Sequence, residues 1–156
     1  EGMNVLSLLE TDFIDICEAI ISGTLDPRSI SFKKKATVCK YVVPQGYPAN
    51  PVKDVAINLQ DVPAQSEQLR VYYAAVDDQL DGSLRLTGSR ALAFVGIGKN
   101  LAEAERVAEH AASSVHGPLT HRRDIGSEQL IRRRVDHMKA ILATSNKELA
   151  KIHQVA

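Results

Sequence analysis

The sequence predicts an α+β fold, built as a small, mainly antiparallel sheet or open barrel with helices packed against it. Apolar residues recur at helical spacing up to Ser22, at strand spacing between residues 36 and 97, and again at helical spacing from Asn100. Several strands that follow one another without an intervening helix pair antiparallel. A chain of 156 residues buries one sizeable core, so we expect one compact domain with an appendage.

The first predicted helix covers residues 12–22. Its apolar residues lie on one face, which we expect to pack against a core: Phe13, Ile16, Cys17, Ile20 and Ile21. Thr11 or Asp12 can cap its start, and Gly23 can end it in the left-handed conformation. The turn-rich stretch that follows has no clear period and indicates a boundary. The chain is therefore divided into residues 1–32, residues 33–142, and residues 143–156 as an extra helix or tail.

Runs rich in β-branched and aromatic residues predict the strands of the middle region. These runs are residues 37–43, 55–59, 71–76, 84–86 and 91–97. Pro44 ends the first of them. The pair Asp81-Gly82 predicts a type I′ hairpin turn between the third and fourth strands, because that turn needs positive φ.

Two further helices are predicted after the sheet. Asn100 and Glu103 have the spacing of a capping box, and an apolar face then runs to Val115 before Gly117-Pro118 stops the helix. The next helix begins at Ser127 and runs to about Ala143. Its inward positions are expected to be Leu130, Ile131, Val135, Met138 and Leu142, and Ser145 with Glu148 can cap a short final helix.

Composition argues against several classes of protein. Nineteen basic and nineteen acidic residues give a formal net charge of zero, so no bulk attraction to nucleic acid or an anionic membrane is expected. Cys17 and Cys39 lie in apolar runs without a CxxC context, which fits reduced thiols. No apolar stretch approaches the roughly 20 residues of a spanning helix. We expect a soluble, cytoplasmic protein.

Three short motifs suggest sites that we reject in favour of structural roles. Gly96-Ile97-Gly98 lacks the third glycine of a dinucleotide fingerprint and is expected to allow tight strand-to-helix packing. His116 and His121 have no ligand set with metal spacing. The arginine run 132–134 has acidic neighbours and no interleaved aromatic residues, which favours a solvated face over an RNA site.

An ordered set of anchors resembles the C-terminal part of the phosphoribosylamine-glycine ligases, which are ATP-grasp enzymes of purine synthesis. The anchors are Glu1-Gly2-Met3, Asp12-Phe13 through Gly23 with Leu25-Asp26, Ala36-Thr37-Val38-Cys39, Gly46-Tyr47-Pro48, Thr87-Gly88-Ser89-Arg90 and Arg123-Asp124-Ile125-Gly126. The resemblance covers residues 1 to about 142. It implies that residues 1–32 end an ATP-grasp module and that residues 33–142 form the barrel-like C-terminal domain.

The resemblance implies a ligase that joins glycine to 5-phosphoribosylamine through a glycyl phosphate, using ATP with Mg²⁺ or Mn²⁺. The metal ligands of the family lie before Glu1, so we assign neither a metal ligand nor a catalytic residue to this chain. We expect this fragment alone to be inactive and to bind no cofactor tightly. Its expected partners are the two substrates and an upstream ATP-grasp module, with no nucleic acid and no membrane.

The substrate-binding candidates are Arg90, Ser89, Gly88 and Tyr47. Between two strands, a glycine permits close backbone approach and an arginine fork can grip a phosphate at two points, so Arg90 is expected to hold the 5′-phosphate of phosphoribosylamine. Relatives often carry glycine in place of Ser89. For Gly46-Tyr47-Pro48 and for Arg123 to Gly126, structural turns are favoured over substrate contacts, with Asp124 capping a helix or holding Arg123.

Two alternative functions remain open from the sequence. One is a non-catalytic binding or assembly module that docks to a separate ATP-grasp subunit. The other is a different ATP-grasp relative, such as a carboxylase-type enzyme, which the Gly46-Tyr47-Pro48 and Asp124-Ile125-Gly126 anchors disfavour. Without its ATP-grasp neighbours, helix 12–22 is expected to leave an apolar patch exposed.

Overall fold

A computed structural model describes residues 2–153, with side chains described for residues 2–143. The helices are α1 (Gly2–Leu6), α2 (Phe13–Ser22), α3 (Leu101–Ser113) and α4 (Glu128–His153). The strands are β1 (Ala36–Pro44), β2 (Ala56–Ile57), β3 (Leu69–Tyr73), β4 (Val76–Asp78), β5 (Leu84–Leu86), β6 (Leu92–Gly98) and β7 (Leu119–His121). The predicted α+β class is confirmed.

The described strands form two small sheets in which every pair is antiparallel. The first sheet has the order β3-β6-β1-β7, and the second has the order β2-β5-β4. Helix α3 packs on β6 and β1. The main core lies between this helix and the sheets, and its buried residues are Val42, Ile57, Leu69, Leu86, Ala91, Leu92, Phe94, Ala111 and Ala112.

Strand β1 separates two environments because successive side chains of a strand point to opposite faces. Its even-numbered residues are buried on the side of α3: Val38, Lys40, Val42 and Pro44. Its odd-numbered residues, from Thr37 to Val43, are only half buried on the opposite face. That second face carries the candidate site.

The glycine of β6 at position 96 allows α3 to approach the strand closely, as predicted. A Cβ built on Gly96 would lie 2.0 Å from the carbonyl oxygen of Ala104 and 2.7 Å from the backbone nitrogen of Ala108. Both are backbone atoms of α3, so no side-chain rotation can relieve the clash. Any larger residue at this position must push the helix away from the sheet.

We expect Gly96→Ala to lower the free energy of unfolding by about 2 to 4 kcal/mol, which is at the upper end of overpacking costs. Urea unfolding followed by circular dichroism measures the change. Gly2→Ala is the control, because no atom beyond its chain neighbours and the backbone of its own helix lies within 4 Å of the added Cβ. Equal stability of Gly96→Ala and the wild-type protein would contradict the close approach.

The structure differs from the predicted sheet in one strand, one turn type and one additional strand. The predicted strand 71–76 is split at Ala74 and Ala75, so that β3 and β4 belong to different sheets. The hairpin at Asp81-Gly82 therefore joins β4 to β5 through residues 79–83, and only its glycine has positive φ (78°), so the turn is not type I′. Strand β7 was not predicted. Its three residues are too few to show a period.

For α2, the predicted caps at both ends are correct, but the predicted burial of its apolar face is not. Asp12 caps α2 and Gly23 ends it in the left-handed conformation. However, no residue of α2 is buried within the described chain, and Ile21 is 86% exposed. The predicted core contact of this helix is therefore wrong for this chain, whereas the apolar patch expected in the absence of its neighbours is present.

Helix α4 is one continuous helix, so a separate final helix starting near Ser145 was a wrong prediction. Among its predicted inward positions, only Leu130 is buried and Ile131 is half buried. The other three, Val135, Met138 and Leu142, are exposed by 46 to 55%. Their helical spacing was read correctly, but the described chain places no element over them.

Candidate functional site

The turn Thr87–Arg90, which we call the cationic turn, connects β5 to β6 and is held on both sides. The Thr87 hydroxyl donates to the Ala75 carbonyl at 3.0 Å, and the Ala75 backbone N–H donates to the Arg90 carbonyl at 2.9 Å. Gly88 has φ of 98°, a conformation that favours glycine. The turn is therefore held in one conformation, and its side chains Ser89 and Arg90 are exposed.

Arg90 lies over an aromatic ring of β1. Its guanidinium carbon is 5.0 Å from the centroid of the Tyr41 ring, which is within the range of a cation–π contact. This contact orients the arginine and leaves its N–H donors available, since in the described chain Arg90 forms no ion pair with a carboxylate. An oriented arginine with available donors can bind an anion at two points.

The same tyrosine lines a cavity of about 450 Å³, which we call the tyrosine cavity. Its lining residues are Cys39, Tyr41, Val43, Tyr47, Thr120, His121, Arg122 and Ile125. The walls are mostly apolar, with hydroxyls and one arginine at defined points, as is usual for small-molecule sites. Tyr41 thus connects the cavity with Arg90.

Tyr47 reaches the cavity from the loop after β1. The loop is closed by a hydrogen bond from the Asn50 N–H to the Gly46 carbonyl at 2.8 Å and by one from the Tyr47 N–H to the Pro44 carbonyl at 3.1 Å. Two of the predicted site residues, Arg90 and Tyr47, therefore lie on the same surface, joined through Tyr41. Tyr41 was not predicted as a site residue, because a tyrosine in a run of β-branched residues is usually a packing residue.

A second, shallower depression of about 780 Å³ lies between β2, the β4–β5 loop and the chain before β7. Its lining includes His116, whose Nε2 is 2.5 Å from an Asp61 oxygen. Among the described residues, no arginine or lysine lines it. We therefore consider the surface of Arg90 and the tyrosine cavity the better candidate for an anionic substrate.

Beneath β1, a partly buried group of polar and charged side chains surrounds the buried ammonium of Lys40. We call this group the lysine cluster: Lys40, Glu105, Glu109 and His121. Lys40 is 1% exposed, and its Nζ donates to Glu105 at 2.7 Å, to Glu109 at 2.5 Å and to the Arg123 carbonyl at 2.9 Å. The Nε2 of His121 is 3.1 Å from each Glu109 oxygen. A buried ammonium needs this full set of acceptors. The cluster therefore ties β1, α3 and β7 together behind the site.

The lysine cluster shifts the ionisation of Glu109. Partial burial alone would raise the pKa of this carboxyl. The hydrogen bonds from Lys40 and His121, and their charges, outweigh that effect and lower the pKa from 4.5 to about 2. The ionised form of Glu109 is thus favoured in the folded protein.

The protein is expected to lose stability on acidification, because a carboxyl with a lowered pKa stabilises the fold above its unfolded pKa of 4.5. The contribution of Glu109 is complete above that pH and is lost as the pH falls towards 2, by about 3 kcal/mol in total. Urea unfolding from pH 7 to pH 2.5 measures it. Glu109→Gln should be less stable at pH 7 and should approach the wild-type value at the acidic end. A constant difference across the range would contradict the shift, and Glu18→Gln on the exposed side of α2 is the control.

Hydrogen bonds hold the loop between β7 and α4, and the partner of Asp124 differs from the prediction. Asp124 binds Arg122, with oxygen-to-nitrogen distances of 3.0 and 2.7 Å, rather than Arg123. This pairing lowers the pKa of Asp124 through the hydrogen bond from Arg122. Arg123 contributes its carbonyl to Lys40, and Ser127 caps α4 by accepting the Leu130 N–H at 3.3 Å.

The described part of the chain offers neither a set of metal ligands nor a helix that could span a membrane. Within it, no group of three or more His, Cys, Asp and Glu side chains is arranged to hold a metal ion. None of the described helices combines the length and the apolar character needed to cross a membrane. Arg132, Arg133 and Arg134 are exposed on α4, consistent with a solvated face.

Comparison with known proteins identifies the family. The family model described as "Phosphoribosylglycinamide synthetase, C domain" matches residues 37–128, which include all but the first residue of β1, the cationic turn and the lysine cluster. The chain belongs to this family. The C-domain assignment agrees with the resemblance noted in the sequence.

Two curated relatives of this chain are both named phosphoribosylamine–glycine ligase. The chain is 52% identical over 141 residues to the phosphoribosylamine–glycine ligase of Methanocella arvoryzae and 43% identical over 141 residues to that of Methanocaldococcus jannaschii. These matches cover 90% of this chain but only 31% and 32% of the relatives. The chain therefore spans about a third of the length of the curated relatives that it matches.

A solved structure supports the C-domain fold. The crystal structure of phosphoribosylamine–glycine ligase from Thermotoga maritima superposes with a TM-score of 0.53 at 30% identity. The superposition covers 72% of this chain and 27% of that protein. The C domain described here is thus one part of a larger architecture in that enzyme.

Proposed function

We propose that this chain is the C-terminal part of an ATP-dependent ligase that joins glycine to 5-phosphoribosylamine, a step of purine synthesis. The observation that carries the proposal is the 52% identity over 141 residues to a protein named phosphoribosylamine–glycine ligase. The products are glycinamide ribonucleotide, ADP and phosphate. The C domain supplies one wall of the substrate site, with Arg90, Ser89, Gly88 and Tyr47 facing the phosphoribosylamine.

The chemistry proceeds in two transfers. An oxygen of the glycine carboxylate attacks the γ-phosphorus of ATP, and ADP leaves. The amine nitrogen of phosphoribosylamine then attacks the carbonyl carbon of the glycyl phosphate, phosphate leaves, and the nitrogen loses a proton. Mg²⁺ or Mn²⁺, bound outside this chain, would stabilise the charge on the phosphoryl oxygens. The C domain binds and orients the amine substrate and helps to exclude water from the anhydride.

Residues 1–32 are proposed to be the end of an ATP-grasp module that continues upstream. The support is the exposed apolar surface of α2, where Ile14 is 63% and Ile21 is 86% exposed. An apolar helix face of this kind is normally covered by a neighbouring element, because exposed apolar surface in water is unfavourable. We also propose a cytoplasmic location, where the free thiols of Cys17 and Cys39 stay reduced.

Phosphate release tests the proposal. The assay contains ATP, Mg²⁺, glycine and freshly generated phosphoribosylamine, and compares this chain with a protein extended upstream through the ATP-grasp module. Activity that depends on both substrates is expected only in the extended protein. A folded extended protein without activity would overturn the ligase function and favour a non-catalytic module that docks to a separate ATP-grasp subunit.

A further inference from the structure

We propose that Lys53 is the second cation of the phosphate site and that it grips the substrate phosphate together with Arg90. The inference rests on the proposed function, because it adds a binding residue to the phosphoribosylamine site. It starts from a contact between two loops that lie far apart in the sequence. Lys53 belongs to the loop after β1, whereas Gly88 belongs to the cationic turn after β5.

The side chain of Lys53 occupies the space that a side chain at position 88 would need. A Cβ built on Gly88 would lie 2.6 Å from Cε, 3.0 Å from Cγ and 3.2 Å from Cδ of Lys53. The stem of the lysine therefore lies across the turn. Its ammonium is one bond beyond Cε, hence within about 4 Å of the same point. Gly88 thus has a role beyond its backbone conformation, since it makes room for Lys53.

Hydrogen bonds to β5 fix the backbone that carries Lys53. The Asp54 N–H donates to the Leu86 carbonyl at 2.8 Å, and the Leu86 N–H donates to the Val55 carbonyl at 3.1 Å. The Arg85 guanidinium also donates to the Asp54 carbonyl at 2.6 Å. The lysine is therefore presented from a fixed segment, as Arg90 is from the cationic turn.

Both cations lack a counter-charge in the described chain. Neither Lys53 nor Arg90 forms an ion pair with a carboxylate among the described residues. The Lys53 stem lies against Gly88, and Arg90 lies two residues farther along the same turn. Two cations without carboxylate partners on one turn attract an anion of matching charge. A phosphate monoester carries a charge of about −1.5 to −2 at pH 7. The planar guanidinium of Arg90 can orient the phosphate through two hydrogen bonds, and the ammonium of Lys53 supplies a second positive charge.

In this proposal, different residues of the surface bind the phosphate and the sugar of the substrate. The phosphate binds between Lys53 and Arg90, and the sugar extends over Tyr41 towards the tyrosine cavity. Arg90 links the phosphate site to the sugar site, because its guanidinium carbon lies 5.0 Å from the centroid of the Tyr41 ring. The two cations therefore select for the phosphate of the substrate, whereas the tyrosines contact its sugar.

Calorimetric titration of ribose 5-phosphate into the upstream-extended protein tests the inference, with ribose as the comparison ligand. Lys53→Ala is expected to weaken ribose 5-phosphate binding about tenfold, the loss typical of one charge-assisted contact, without changing ribose binding. Lys34→Ala is the matched control, since this exposed lysine precedes the opposite end of β1. Lys53 is itself exposed, so its variant is expected to fold.

A double-mutant cycle tests the role of Gly88. Gly88→Ala strains the turn in both backgrounds because φ is 98°. Its effect on ribose 5-phosphate binding should nevertheless be larger in the wild-type background than in the Lys53→Ala background, because only in the former does the added methyl group also displace the lysine. An equal loss in both backgrounds would overturn this link.

The outcomes separate the inference from the proposed function. Lys53→Ala could bind ribose 5-phosphate as tightly as the wild-type protein while Arg90→Ala binds it more weakly. That result would overturn the role of Lys53 and leave the ligase function unaffected. Loss in both variants, in a protein without ligase activity, would support the two-cation anion site while the proposed reaction fails. No measurable binding of ribose 5-phosphate to the wild-type extended protein would overturn the inference.

Discussion

Replacing Lys40 by methionine is expected to lower the free energy of unfolding by about 3 to 5 kcal/mol, the cost of breaking a buried ion pair by removing one partner. The lysine is 1% exposed and donates to both Glu105 and Glu109. Methionine fills the volume but leaves two carboxylates facing each other without their cation. Thermal and urea unfolding measure the loss.

Two controls separate the charge effect from a packing effect. Lys139→Met, at a lysine 75% exposed and 4.0 Å from Asp136, should change stability by less than about 1 kcal/mol. Adding Glu105→Gln and Glu109→Gln to Lys40→Met should restore part of the lost stability, because neutral amides no longer repel each other. A triple variant less stable than Lys40→Met would argue that packing, not charge, sets the cost.

Arg90→Ala is expected to raise KM for phosphoribosylamine about 10- to 100-fold in the upstream-extended enzyme, because it removes one or two charge-assisted hydrogen bonds to the phosphate. The KM values for ATP and glycine should change little. Arg90→Lys should recover only part of the loss, since an ammonium cannot reproduce the planar fork over Tyr41. Steady-state phosphate release with each substrate varied in turn measures all three constants.

A matched control for Arg90 is Arg134→Ala, at an exposed arginine of α4 far along the chain from the cationic turn. We expect its kinetic constants to equal those of the wild-type enzyme. If Arg90→Ala instead lowered kcat with KM for phosphoribosylamine unchanged, the arginine would act in the chemical step or in domain closure, and the phosphate assignment would be wrong.

Local signals predicted much of the fold. Asn100 accepts the Glu103 N–H at 2.9 Å, as the capping spacing predicted, and the Glu103 carboxylate accepts the Lys99 N–H at 2.8 Å. Gly96 permits the close approach of α3. Such features depend on residues a few positions apart and are therefore visible in sequence. The division into residues 1–32, 33–142 and 143–156 stays a prediction, as do the substrate contacts of Ser89, Gly88 and Tyr47.

The candidate site was predicted in part. The motif Thr87-Gly88-Ser89-Arg90 predicted the cationic turn as a candidate site. The structure shows that the loop after β1 carries Tyr47 to the same surface. Tyr41 was not identified, because a tyrosine in a strand is usually a packing residue. Lys53 was not identified either, since its only signal is the space above a glycine 35 positions later in the chain.

The sequence by itself determined the α+β class, the helix caps, the tight packing at Gly96 and the family resemblance, since periodicity, capping and motif order are local properties. Only the tertiary structure decided which charges meet. Lys40 and Glu105 are 65 residues apart in the chain, and their contact depends on α3 crossing β1 in one register. It also decided that, among the described residues, Ile20 and Ile21 of α2 and Val135, Met138 and Leu142 of α4 remain exposed, because periodicity reveals an apolar face but not whether a neighbouring element packs against it.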